Sequence, residues 1–164
     1  MLTAAPRTRA QLADALARRG VAAEIADSVL GRFADVGLID DAMFAVGWVE
    51  SRHHGRGLAA RALAAELRQR GVPADEIAAA LQQLDPDREI ATAKALVARR
   101  LAATAGQPLP ARIRRLTGVL ARKGYPQSLA YRVVREALEQ EGTDPAAAGI
   151  DLFSEPEPGE PEPG

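Results

Sequence analysis

The sequence predicts an all-α protein built as an elongated, solenoid-like array of tandem three-helix repeats. Three observations point there. A five-residue phrase (Leu, two variable residues, a basic residue, Gly) occurs three times, as LARRG at 16–20, LRQRG at 67–71 and LARKG at 120–124. Its glycines lie 51 and 53 residues apart, and self-similarity at a fixed period of this size marks a repeat architecture. Apolar residues recur at helical spacing, and no stretch alternates as a half-buried strand would. The phrase itself reads as a helix end: Leu is the last core-facing residue, the cation sits near the carbonyl end of the dipole, and Gly takes the left-handed cap. Val21, Val72 and Tyr125 follow the three glycines, each placed to pack back on its helix.

The elements follow in order. Thr8 with Gln11 forms a capping box ahead of Leu12 and Leu16. A second helix over about 22–34 carries the stripe Ile25, Val29, Phe33, and Gly37 stops it. A third starts at Asp40 or Asp41, carries Phe44, Trp48 and Val49, and fades in a polar break at 53–57. The next repeat has Leu63 and Leu67 on its first helix. Pro73 opens its second, with Ile77, Leu81 and Leu84, at a position where a missing N–H costs nothing. Asp85 and Pro86 then start a long helix bearing Ile90, Leu96, Val97 and Leu101. A linker over 104–110 leads to Ile113, Leu116 and Leu120, and Pro126 opens the last helix with Leu129, Val133, Val134 and Leu138. This divides the chain into repeats at 1–55, 56–104 and 108–141, the last with two clear helices, and a tail at 142–164. The tail is Pro-, Glu- and Gly-rich, with too little apolar surface to offset the entropy of ordering, so the sequence predicts disorder there.

The formal net charge of −1 hides an asymmetry. Seven carboxylates and no cation lie in residues 141–164, which leaves residues 1–140 with a surplus of six positive charges. A basic body favours phosphate-rich or carboxylate-rich partners. No apolar run reaches the roughly 20 residues of a membrane span, and the N-terminus lacks a secretory pattern. With no cysteine, disulfides and thiolate metal sites are excluded. A cytoplasmic protein is the expectation.

Nothing assembles an active site, so no catalytic, cofactor-binding or metal-binding residue is assigned, and no enzyme or small-molecule substrate is expected. Asp40 and Asp41 read as a helix cap, because adjacent helical residues diverge by about 100° and converge poorly on one metal. His53 and His54 read as part of a solvated loop, with no His-Glu-x-x-His pattern. The segment Gly55-Arg56-Gly57 lacks the Lys-Ser/Thr of a phosphate-cradling loop. The basic residues carry more. Arg18, Arg19, Arg68, Arg70, Arg122 and Lys123 fall at equivalent helix ends, and in a solenoid such positions line one edge. Arg112, Arg114 and Arg115 add a cluster near a helix N-terminus, where the dipole disfavours cations. These nine are the candidate contacts to a protein partner or nucleic acid. Phe33, Phe44 and Trp48 fit core stripes, leaving Tyr125 and Tyr131 as outward rings, too few for a base-stacking platform.

Several segments together, RAQL at 9–12 leading into LARRG at 16–20, GLIDDAMFA at 37–45, RALAAELRQRGV at 61–72 and LARKGY at 120–125, resemble the RecX family, in the form found in high-GC Gram-positive bacteria. The resemblance spans about residues 7–140. It implies tandem three-helix repeats and a non-catalytic regulator that binds the RecA–DNA filament, inhibiting ATP hydrolysis, strand exchange and coprotease activity in recombination and the SOS response; some members also bind DNA. The family has no catalytic residues to carry over. Only Met1 to Arg7 precede the first match, where relatives have further helical sequence, so either the start lies upstream or the first repeat lacks part of its lead-in. The alternatives outside this reading are a helical nucleic-acid-binding module and a generic interaction scaffold.

Overall fold

The structure, a computed structural model, describes residues 6–145. Within them the chain forms eight α-helices and no strand: α1 (Arg9–Ala17), α2 (Ala23–Asp35), α3 (Asp41–Arg56), α4 (Ala60–Gln69), α5 (Ala74–Gln82), α6 (Pro86–Leu101), α7 (Leu109–Arg122) and α8 (Gln127–Gln140), with one 3₁₀ turn at Ala102–Thr104. The helix signals act where the sequence places them. Thr8 and Gln11 make the reciprocal capping box, and the Asp40 carboxylate accepts the Met43 N–H at 2.8 Å. Gly20, Gly71 and Gly124 all have positive φ. Beyond each glycine, Val21, Val72 or Tyr125 donates its N–H back to Leu16, Leu67 or Leu120 of the phrase. That bond closes the Schellman ring, which occupies carbonyls otherwise left orphaned at the helix end.

The helices pack in a different phase from the one the glycine phrases suggest. α3 packs against α4 and α5, and α6 packs against α7 and α8. Ala45, Val49, Leu63, Leu67, Val72, Ile77, Ala80 and Leu84 make one core. Ala93, Val97, Ile113, Leu116, Leu120, Tyr125, Val133, Val134 and Leu138 make the other. The divisions expected at 55/56 and 104/108 therefore cut through packed bundles. The physical reason is that the second and third phrases close the middle helices α4 and α7 of their bundles, so the helix preceding each in sequence belongs to the same core. The units are α1–α2, α3–α5 and α6–α8. Each large aliphatic side chain fully withdrawn from water contributes roughly 1.5–3 kcal/mol, so the two complete cores hold most of the stability.

The units are joined at equivalent positions by two hydrogen bonds, one from a side-chain hydroxyl and one from a backbone N–H. Thr8 Oγ1 donates to the Arg70 carbonyl at 2.6 Å, and the Ala59 N–H donates to the Lys123 carbonyl at 2.8 Å. Donors and acceptors are one period apart, 51 and 53 residues. Beside each bond a cap glycine presses on the neighbouring unit: a Cβ on Gly71 would stand 2.3 Å from Ala10 Cβ, and one on Gly124 would stand 2.6 Å from Ala62 N. The glycines are thus required twice, for the left-handed turn and for close approach between units. Asp41 adds a further tie, accepting the Arg9 N–H at 2.8 Å.

Three other expectations are corrected. His53 is not in a loop; α3 continues to Arg56, with Gly57 as its left-handed cap, and His53 is 2% exposed. Its Nδ1 lies 2.9 Å from the Leu58 carbonyl and its Nε2 lies 3.1 Å from Thr92 Oγ1, so the ring ties α3 to its own cap and to α6. Tyr125 is buried rather than outward, its hydroxyl donating to the Gly57 carbonyl at 3.0 Å. Burial and the nearby Glu89 carboxylate push that phenol up to about 12. Phe33 is not a core residue: with Ile25 and Val29 it stays exposed on α2. The α1–α2 unit has no third helix among the described residues to cover that stripe.

Candidate functional site

The strongest concentration of uncompensated charge is a groove where α3, α6 and α7 converge. Two adjoining hollows of about 440 and 660 Å³ share Arg56, Arg100 and Lys123. Around them stand Arg88, Arg99, Arg115 and Arg122, with His53, His54, Thr92 and Thr104 completing the polar lining and no Asp or Glu contributing among the described residues. The sequence places these cations through three helix ends. Arg56 closes α3, Arg99 and Arg100 close α6, and Arg122 and Lys123 close α7. Each end carries partial negative charge, which stabilises a nearby cation by about 0.3–1 kcal/mol. That accounts for a cation at each end. It does not account for the doubled ones, nor for Arg115, which lies at the middle of α7.

The groove stays positive because its charges are not cancelled locally. Arg88 is the exception: it grips Glu50 by two bonds of 2.9 and 3.0 Å and thereby holds the Glu50 carboxyl below its ordinary range. No ion pair joins Arg56, Arg99, Arg100, Arg115, Arg122 or Lys123 to a carboxylate of the described residues. Lys123 Nζ spends one donor on the Arg56 carbonyl, at 2.6 Å, which fixes the corner where α3 and α7 meet.

The nine cations assigned from sequence do not form one row. Arg115, Arg122 and Lys123 line the groove. Arg114 lies on another face of α7, lining a separate cleft with Arg61, Gly118, Arg122 and Tyr131. Arg18, Arg19 and Arg68 are exposed and line neither hollow. Arg70 is packed rather than presented: its guanidinium carbon sits 3.8 Å from the Trp48 ring centre, beside Arg52 at 4.2 Å, while Trp48 Nε1 donates to Glu66 at 2.8 Å. Arg112 is corrected outright. It is 6% exposed, forms an ion pair with Glu141 through a very short contact, and its Nε donates to Thr104 Oγ1 at 3.1 Å. It is held inside the fold rather than presented at the surface. Its sequence position carried the signal, since 112, 116 and 120 are spaced at i, i+4, i+8 on the core face. Arg56, Arg99 and Arg100 were missed because they come together only through packing; the Arg99-Arg100 doublet was the available hint.

A concave, acid-free run of arginines can hold a polyanion, since guanidinium forks match carboxylate and phosphate oxygens. Among the described residues no group of three or more His, Asp or Glu is placed to hold a metal ion, and no helix is long and apolar enough to cross a membrane.

Comparison with known proteins places this architecture. Models of the first, second and third three-helix domains of RecX match residues 1–33, 40–81 and 87–134. The latter two matches follow the α3–α5 and α6–α8 grouping seen in the packing. The regulatory protein RecX of Thermobifida fusca is 62% identical over 144 residues, 88% of this chain and 78% of that protein. The Streptomyces lividans protein of the same name is 58% identical over 153 residues, 93% of this chain and 81% of that one. A crystal structure of RecX from Lactobacillus salivarius superposes with a TM-score of 0.76 at 16% identity, covering 82% of this chain and 88% of that one, a likeness of fold. Three consecutive domain matches and relatives of this identity across most of the chain mean that it belongs to the RecX family of regulatory proteins.

Proposed function

We propose that the chain is a non-catalytic regulator of the RecA recombinase, which docks on the RecA–DNA filament through the α3–α6–α7 groove and lowers ATP hydrolysis, strand exchange and coprotease activity. The observation that carries this reading is the cluster of six cations without a carboxylate ion-pair partner among the described residues, held at the junction of two packed bundles. Such a surface presents a fixed pattern of positive charge to a helical, phosphate-bearing assembly. Contacts from successive units of one rigid array add through effective concentration, so individually weak contacts suffice. Binding across neighbouring protomers then opposes their rearrangement during hydrolysis and exchange.

The test is titration into a RecA ATPase assay on single-stranded DNA, comparing the parent chain with the double variant Arg100→Glu, Arg115→Glu. The variant is expected to need at least about tenfold more protein for half-inhibition, the equivalent of about 1.4 kcal/mol. Unchanged inhibition removes the groove as the docking surface. A second reading, nucleic-acid binding without RecA, is favoured by the same acid-free lining. It requires a gel shift with DNA alone and a salt slope approaching about −4 if all six cations meet single-strand phosphates.

A further inference from the structure

We propose that the groove is a docking site for the chain's own acidic segment, residues 146–164, which masks it from anionic partners. The segment carries Asp151, Glu155, Glu157, Glu160 and Glu162 and no Lys or Arg. The groove offers Arg56, Arg99, Arg100, Arg115, Arg122 and Lys123 and contributes no Asp or Glu. The segment thus carries five negative charges and the groove six positive ones, and none of those six cations is ion-paired with a carboxylate among the described residues.

The described chain hands the segment off beside the groove. After α8, Glu141 is tied to Arg112, Arg112 is bonded to Thr104, and Thr104 lies in the groove wall next to Arg100 and Arg115. Gly142 turns the backbone with positive φ, Thr143 closes on the Leu138 carbonyl at 2.9 Å, and Pro145 is buried. The point of departure is therefore fixed against the bundle that forms one wall of the groove. At about 3.4 Å per extended residue, Asp151 can lie up to ~20 Å from Pro145 and Gly164 up to ~65 Å. The carboxylates are spread along a length that can follow the groove. The alternating Glu-Pro spacing also denies the segment an amide N–H at each proline, so side-chain charge rather than backbone pairing is its means of attachment.

The affinity needed is small. A tethered segment acts at an effective concentration in the millimolar range. If the groove is open about a tenth of the time, an anionic partner sees its affinity reduced about tenfold. Masking of this kind is screened by salt, with a Debye length of about 10 Å at 0.1 M.

The test reads the position of the segment directly and does not depend on RecA. The chain contains no cysteine, so Ser154→Cys supplies a single site for a nitroxide label on the full-length protein. At low salt the label is expected to broaden the amide signals of Arg100, Ala103, Val119 and Lys123, with recovery at about 1 M salt. The variant with Asp151→Asn and Glu155, Glu157, Glu160 and Glu162→Gln should show none of this broadening and should bind a fluorescein-labelled oligothymidine about tenfold more tightly. Absence of broadening in the parent overturns the proposal, as does equal broadening in the neutralised variant. Broadening that arises only between molecules, seen by mixing labelled and isotopically enriched chains, overturns it as well. Equal oligothymidine affinity of parent and variant, or binding by neither, overturns the masking and leaves the groove to its other partners.

Discussion

Gly124→Ala adds one methyl group at a tight joint between units, against backbone of the neighbouring helix, and the structure sets its effect. At φ +89° the backbone is left-handed, and a Cβ there would stand 2.6 Å from Ala62 N and 2.7 Å from Ala62 Cβ. Left-handed backbone costs a non-glycine residue about 1–2 kcal/mol. Forcing a methyl group into a contact with backbone on the other side adds about 1–3 kcal/mol. The expected loss is about 2–5 kcal/mol, a large share of the 5–15 kcal/mol typical of a domain. Gly20→Ala is the matched control, because it sits in the same phrase at φ +80° with nothing within 4 Å. Its loss should be the backbone term alone. The difference between the two variants, measured by urea unfolding followed by circular dichroism, isolates the joint. Equal losses for Gly20→Ala and Gly124→Ala, within about 0.5 kcal/mol, would refute the claim that the cap glycine is an inter-unit contact.

Two further outcomes follow from buried polar groups. Arg112→Met should destabilise the fold by about 1–3 kcal/mol, less than a fully buried pair because Glu141 keeps 32% of its side-chain surface in water; filament inhibition per folded molecule should be unchanged, in contrast to Arg100→Glu, Arg115→Glu, and equal loss of inhibition in both would return Arg112 to the docking surface. The Tyr125 phenol is pushed up from 10 to about 12, so the folded state keeps a proton that the unfolded chain releases. Its contribution is complete below pH 10 and is lost as pH rises toward 12, a fall of about 3 kcal/mol at 1.4 kcal/mol per unit. Tyr125→Phe should lack that component of the alkaline decline in urea midpoints, and parallel curves for the two proteins would exclude it.

The residues whose role is local were legible from sequence. The caps formed by Thr8, Gln11, Asp40, Pro86 and the three phrase glycines act within a few positions of themselves, so spacing alone identifies them, whereas the second roles of Thr8, Gly71 and Gly124 at the joints arise only from packing. The phase of the units was not legible, because the turn at 57–59 and the loop at 105–108 connect helices within a bundle while resembling boundaries. His53 looked solvated because its neighbours in sequence are polar; its burial comes from Thr92, 39 residues away. Tyr125 likewise finds its acceptor on Gly57, 68 residues away. The candidate surface was half visible. The charge surplus of the body could be read and Arg115, Arg122 and Lys123 could be singled out, but the groove they line is made by bringing Arg56, Arg99 and Arg100 to them from other helices, and Arg112 was assigned outward despite standing on the core stripe.

The paired hydrogen bonds from Thr8 to Arg70 and from Ala59 to Lys123 have a consequence for how such a chain can change in length. Each is a link between a residue just ahead of one unit's phrase helix and the carbonyl just ahead of the next unit's cap glycine, so the two links join equivalent positions, one through a side-chain hydroxyl and the other through a backbone N–H. A joint that repeats in this way is modular: a segment of about 51–53 residues could be duplicated or excised in register, and every surviving joint would still find its mate.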